Sequence, residues 1–121
     1  MKKGIFINVE TKTIEWVEVG DHYTDIQKVI GCETFTTTEY NDDTIIYSDD
    51  NGYSNSENFF RIKGGYYEDP IPGNGLILSD DLETGEESVD CRLSLDYVKE
   101  RVEFLDNFQV TILSRFNLIG Q

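Results

Sequence analysis

The chain has 121 residues, enough for one domain of ordinary size. It is 38% hydrophobic and 28% charged, with 24 acids against 10 bases and a formal net charge of -14. Such an imbalance argues against direct binding to nucleic acid or to an anionic membrane, both of which need a basic face. No run of apolar residues is long enough for a membrane helix. The two cysteines, Cys32 and Cys91, read as reduced, mostly buried thiols of a cytoplasmic protein. With the single His22 they offer no zinc spacing, so no metal or cofactor is expected.

In chain order, the opening MKKGIFINVE is basic and then apolar, like a signal peptide, but its apolar run is short and lacks a small-residue cleavage site. Its alternation of Ile5, Ile7 and Val9 with Phe6, Asn8 and Glu10 predicts a first strand. Thr11 to Thr13 reads as a turn, and Ile14 to Val19 alternates again, completing an N-terminal hairpin with Trp16 at the edge of the core. Tyr23, Ile26, Val29 and Ile30 fall at helical spacing, with Thr24 or Asp21 as N-cap and Gly31 as the closing glycine. Glu33 to Tyr40 and Thr44 to Ser48 favour strands, the second ended by Asn51-Gly52, a pair suited to a type I′ turn.

Tyr53 to Asn58 reads as loop, Phe59 to Lys63 as a strand or helical turn, and Gly64 to Gly75 as an irregular stretch. Leu76-Ile77-Leu78 predicts a buried strand, Asp80 to Glu87 an acidic turn, and Ser88 to Arg92 a returning strand. Ser94 caps a helix over Leu95 to Leu105, and Phe108 to Phe116 alternates as a last strand. The expected fold is α+β: one domain over 1–121, a mostly antiparallel sheet with two helices packed on it.

The charge is unevenly distributed. Residues 29–91 hold fifteen acids and only Arg61 and Lys63, so they carry -13 of the -14. Neither end of the chain is unusual: 1–28 has five acids and four bases, and 92–121 has four of each. Within the middle the acids crowd into doublets. The candidate partner-binding residues are therefore Asp42, Asp43, Asp49, Asp50, Glu68, Asp69, Asp80, Asp81, Glu83, Glu86 and Glu87. Carboxylates two residues apart on one face of a strand are about 6.6–6.8 Å apart, close to the spacing of successive phosphates along a nucleic-acid strand. Acids spread over strands and turns can thus imitate a phosphate track and receive a basic protein. The bland alternative is a solvated surface that keeps an accessory interaction module soluble.

Other motifs carry less. Aligning Gly52 to the glycine of a calcium loop puts Tyr47 and Asn58 where acidic ligands belong. Gly73-Asn74-Gly75 lacks the Lys-Ser/Thr pair of a phosphate loop. A small hydrolase using paired carboxylates is the third reading, but 24 acids supply such pairs in any fold.

Gly4-Ile5-Phe6-Ile7-Asn8-Val9, Asp25 to Cys32, Thr44-Ile45-Ile46-Tyr47 followed by Asp49 to Gly52, and Gly73 to Leu78 before a C-terminal helix together resemble the domain of unknown function 3846, over roughly residues 3–105. Residues 106–121 stand outside the pattern as an extension. That family has no established activity and no catalytic residues to carry over. Its members are short proteins of bacteriophages, plasmids and integrated elements. The resemblance implies a mobile-element protein acting in the cytoplasm of a bacterial host. In that setting the expected function is non-enzymatic: binding a basic bacterial nucleic-acid-binding protein, as an acidic mimic that inhibits a defence or nucleic-acid-processing enzyme.

Overall fold

A computed structural model describes residues 1–115 of the chain. Its centre is a pair of strands, β4 (Thr44–Asp49) and β7 (Gly75–Asp81), that are buried on both faces. Both read as near-continuous apolar runs, Ile45-Ile46-Tyr47 and Leu76-Ile77-Leu78, because neither face meets water. They pair antiparallel, Thr44 with Ser79 through Ser48 with Gly75. Around them the larger sheet is completed by β1 (Lys2–Asn8), β2 (Thr13–Val19), β3 (Phe35–Asn41) and β8 (Glu86–Val89). The order is β2-β1-β7-β4-β3, with β8 pairing beside β7 beyond the end of β1.

One face of this sheet is covered by α1 (Tyr23–Ile30), which buries Ile26 and Ile30 against Val19, Ile45, Tyr47, Leu76 and Leu78. His22 is the N-cap of α1, not Thr24 or Asp21. Its Nδ1 accepts from Thr24 N–H at 3.3 Å, and Asp25 accepts from His22 N–H at 3.2 Å, a reciprocal pair that satisfies two helix-end donors. Gly31 closes the helix at φ 82°, the left-handed conformation that glycine adopts without penalty. Tyr23, expected on the apolar face of the helix, is exposed.

The other face packs on a small sheet, β6 (Ile71–Pro72), β5 (Asn58–Ile62) and β9 (Val102–Asp106), and on α3 (Leu95–Arg101). Ile5, Ile7, Ile46 and Ile77 of the large sheet meet Phe60, Ile62, Ile71 and Val98 in one apolar core. Phe60 lies so close over β7 that a methyl at Gly75 would overlap its ring. Tyr40 enters the same core, donating to the Lys63 carbonyl at 2.6 Å and sharing a hydrogen bond of 2.9 Å with Tyr97, whose ring lies 3.6 Å from the Arg101 guanidinium.

The fold is α+β with a mostly antiparallel sheet, as expected, but four helices are described rather than two. Asn51-Gly52 makes no type I′ turn. Gly52 opens α2 (Gly52–Asn55), in what was expected to be loop, and is needed because a Cβ there would lie 2.7 Å from Pro72 Cγ. The helix expected over 95–105 stops at Arg101. From Val102 the chain pairs with β5, setting Val102 opposite Ile62 and Phe104 opposite Phe60. Pairing of β-branched and aromatic residues with a ready strand outweighs local helical spacing. The expected last strand is instead a helix, α4 (Asn107–Arg115). Asp106 and Gln109 form a capping box at its start, at 2.8 and 2.9 Å. Phe116 lies outside the described residues. Trp16, expected at the edge of the core, is 43% exposed on the outermost strand.

The contact between Phe60 and Gly75 gives a double-mutant test. Gly75→Ala should cost about 1–3 kcal/mol by overpacking. In a Phe60→Ala background, itself destabilised by about 3–5 kcal/mol, the same change should cost far less, because the ring it strikes is gone. Urea unfolding of the four proteins measures the difference.

Candidate partner-binding surface

The ladder between β4 and β7 decides where the acids lie. Neither strand can carry charge in its interior, so carboxylates occur only at the two ends. At one end Asp80 N–H donates to the Asp43 carbonyl at 2.8 Å, and β7 runs on through Asp81 into the hairpin with β8. Seven of the eleven expected residues meet at this end: Asp42, Asp43, Asp80, Asp81, Glu83, Glu86 and Glu87. Glu68 lies in the adjoining loop, where it accepts from Gly64 N–H at 2.6 Å. Tyr66 ties that loop to this end, donating its hydroxyl to Asp42 and its N–H to the Tyr40 carbonyl. Asp49 and Asp50 are at the opposite end of β4, and Asp69 is further along the loop toward β6. The acids thus form one main cluster rather than a continuous track.

Several of these carboxylates have local work. Asp81 accepts from the N–H groups of Glu83 at 3.0 Å and Thr84 at 3.3 Å, holding the β7–β8 turn. Asp80 accepts from Ser88 N–H at 3.0 Å. Ser88 sits at φ 56°, costly for a residue with a Cβ, and is further held by its hydroxyl against Tyr47 at 2.5 Å. Arg92 reaches Asp43 at 3.4 Å and Asp81 at 3.7 Å, and its N–H donates to the buried Ser79 hydroxyl at 2.9 Å. At the other end Asp49 accepts from Asn51 N–H at 2.9 Å and Asn55 Nδ2 at 3.0 Å.

The Thr84 and Glu83 N–H groups, with Arg92 assisting, hold the Asp81 carboxyl below the usual carboxylate range. The hydrogen bond to Asp42 raises the Tyr66 phenol, and burial raises that of Tyr47 beneath Asp80 and Glu87. Burial also pushes the Cys91 thiol up to about 11. Both cysteines are free, Cys91 buried and Cys32 half-buried.

The carboxylates of Asp50, Glu83, Glu86 and Glu87 make no hydrogen bond or ion pair among the described residues, and all four are exposed. Glu86 stands directly across the ladder from Asp81, a like-charge pair that Arg92 and the turn N–H groups relieve. Two exposed apolar side chains stand at the Asp42–Asp81 end, Leu82 at 64% in the β7–β8 turn and Tyr66 at 65% against Asp42. An open groove of about 490 Å³ at this end is lined by charges of both signs, Asp21, Asp81, Glu86 and Asp90 with Lys2 and Arg92.

Sequence reasoning missed Asp21, Leu82, Asp90 and Arg92 as parts of this end. Leu82 had a signal, being the one apolar residue within an acidic run; Arg92 had one too, as the first base after the acid-rich stretch. A groove of about 880 Å³ between α1 and α2 is lined by Gln27, Lys28, Asn51, Ser54 and Asn55 among others. Among the described residues no three His, Cys, Asp or Glu side chains converge to hold a metal ion, and no helix is long and apolar enough to cross a membrane.

The model of the domain of unknown function (DUF3846) matches residues 1–103. The chain belongs to this family. The DUF3846 match spans the large sheet, α1 and α3, and ends just inside β9, leaving α4 outside it. Neither a curated protein nor a solved structure matches the chain.

The lowered Asp81 carboxyl fixes a pH dependence. A group whose folded pKa is depressed contributes stability above its unfolded pKa, about 3.9, and loses it as pH falls through the folded value. Asp81→Asn should therefore remove an acid-side slope: the wild type loses its advantage over the variant below about pH 4. NMR titration of Asp81 should give a midpoint below that of an ordinary aspartate, and Arg92→Met should move it back upward.

Proposed function

We propose that this protein acts without catalysis, as a phage or mobile-element product that docks its acidic sheet end on a basic bacterial nucleic-acid-binding protein and competes with that protein's nucleic acid. The observation that carries the reading is the β7–β8 hairpin, where exposed Glu83, Glu86 and Glu87 follow the exposed Leu82, at the same sheet end where exposed Tyr66 binds Asp42. Apolar side chains within a charged rim supply the two things a docking surface needs. Carboxylates steer a basic partner and set the salt dependence of encounter. A leucine and a tyrosine supply the desolvated anchors that slow release.

A second reading has its own support. Asp42, Asp43, Asp80 and Asp81 each have an intramolecular partner, as expected of residues retained to hold turns. On that reading the protein is an accessory interaction module and its remaining acids serve solubility.

Two variants of equal charge separate the readings. Glu83→Gln/Glu86→Gln/Glu87→Gln neutralises the acidic end. Glu33→Gln/Asp50→Asn/Glu57→Gln removes as many charges elsewhere, all from exposed positions. The wild type should retain from bacterial lysate a basic protein that duplex DNA displaces. The first variant should lose it and the second should keep it. Leu82→Ser should weaken retention without altering its salt dependence. Equal retention by both charge variants, or equal loss, contradicts docking at this end.

A further inference from the structure

The strand at one border of the large sheet has main-chain groups without a partner. β2 pairs with β1 alone. In an antiparallel ladder the N–H and C=O of one residue point to the same side, and successive residues alternate. Lys3 turns both groups away from β2: its N–H donates to Asp90 Oδ1 at 2.8 Å and its carbonyl accepts from Cys91 N–H at 2.8 Å. Lys2, Gly4, Phe6 and Asn8 therefore bond β2, through Val19, Val17, Glu15 and Thr13. Ile14, Trp16 and Glu18 point the other way, and among the described residues their N–H and C=O groups meet no partner.

β2 lacks the backbone devices that blunt an edge. It has seven residues, no proline and an unbroken register with β1. The opposite border, β3, is protected: its register shifts between Glu39 and Asn41, and Tyr66 N–H takes the Tyr40 carbonyl. At the edge of β2 lies an open, mainly apolar pocket of about 440 Å³, lined by Lys3, Trp16, Val17 and Glu18. Glu15 and Glu18 are exposed. Their carboxylates make no hydrogen bond or ion pair among the described residues, although Glu18 stands across the ladder from Lys3.

These features specify what fits. Free N–H and C=O groups at strand spacing are matched by another main chain in extended form. The pocket takes an apolar side chain, and the two unpaired carboxylates take basic ones. A second copy would match the main chain but not the charge, since its β2 carries Glu15 and Glu18 and no base. We propose that β2 receives an extended, basic segment of a partner protein as an added antiparallel strand. The residue of that segment opposite Trp16 is apolar and fills the pocket, while lysine or arginine faces Glu15 and Glu18. Strand addition of this kind takes its affinity from main-chain hydrogen bonds and its selectivity from the pocket. The site uses none of the residues of the acidic end, and it holds whether or not that end docks a partner.

A peptide written to this pattern, Val-Lys-Val-Phe-Lys-Val-Thr with both termini blocked, sets its lysines opposite Glu18 and Glu15 and its phenylalanine opposite Trp16. Amide hydrogen exchange of the full chain, followed by NMR, reads the main-chain contact. Without peptide the Ile14, Trp16 and Glu18 amides should exchange fast. At saturating peptide these three should slow by at least about tenfold, while Thr13, Glu15 and Val17, already bonded to β1, change little. Emission of Trp16, the chain's single tryptophan, should shift to the blue as the pocket fills. N-methylating the phenylalanine removes one main-chain donor but no side chain or charge, and should weaken binding by at least about fivefold. Glu15→Gln/Glu18→Gln should weaken it roughly fivefold and flatten its salt dependence. Glu83→Gln/Glu86→Gln/Glu87→Gln should bind the peptide as the wild type does. The proposal is overturned if the three amides gain no protection, if the N-methylated peptide binds equally well, or if both glutamate variants weaken binding alike, which would assign it to bulk charge. Protection of the same amides in the free protein, accompanied by dimerisation, would make a second copy the occupant and overturn it too.

Discussion

The antiparallel pairing of β4 with β7, buried on both faces, is the constraint on which the rest of the molecule depends. A strand with one wet face can alternate apolar and charged residues, but a strand between two cores cannot. Over Ile45 to Tyr47 and Leu76 to Leu78 every side chain is apolar or aromatic and buried. The two cores use opposite faces of the same two strands: Ile46 and Ile77 face Phe60 and Val98, while Ile45, Tyr47, Leu76 and Leu78 face α1. Losing this pair would detach α1 from the small sheet at once.

The electrostatics follow from that exclusion. The segment with fifteen acids also contains both central strands, so its charge is pushed into the turns where those strands end. There the carboxylates accept from N–H groups that the turns leave unpaired, as Asp81 does from Glu83 and Thr84 and Asp49 does from Asn51. The doublet Asp49-Asp50 divides its roles, Asp49 holding the turn while Asp50 faces solvent, whereas both members of Asp42-Asp43 and of Asp80-Asp81 have partners. Arg92, arriving after the acidic stretch, relieves the repulsion between the ends of β4 and β7 by reaching a carboxylate on each.

Much of this was legible in sequence where a pattern and its neighbours agreed. The first hairpin, the helix closed by Gly31, the buried strand at Leu76 to Leu78 and the cap at Ser94 all form. The failures have physical causes. Leu95 to Leu105 keeps helical spacing throughout, but only the presence of β5 decides that Val102 onward is strand. Phe108 to Phe116 alternates like a strand, yet Asp106 and Gln109 spell a capping box in the sequence itself, a start signal that outweighed the alternation. Gly52 was read for backbone freedom when its use is close approach to Pro72. For the surface, composition located the acids but not their grouping: that Asp42 and Asp43 join Asp80 and Asp81 while Asp49 and Asp50 do not follows from the register of β4 against β7.

Native-state hydrogen exchange tests the central claim most directly. If the twice-buried ladder holds both cores together, the amides bonded between β4 and β7 should exchange only through global unfolding, with a free energy and denaturant slope equal to those of the whole protein. β8 and α4 should open at lower free energy, since they bury little. Exchange of the Ile46 and Ile77 amides through a smaller, local opening, while α1 and the small sheet stay protected, would contradict the account.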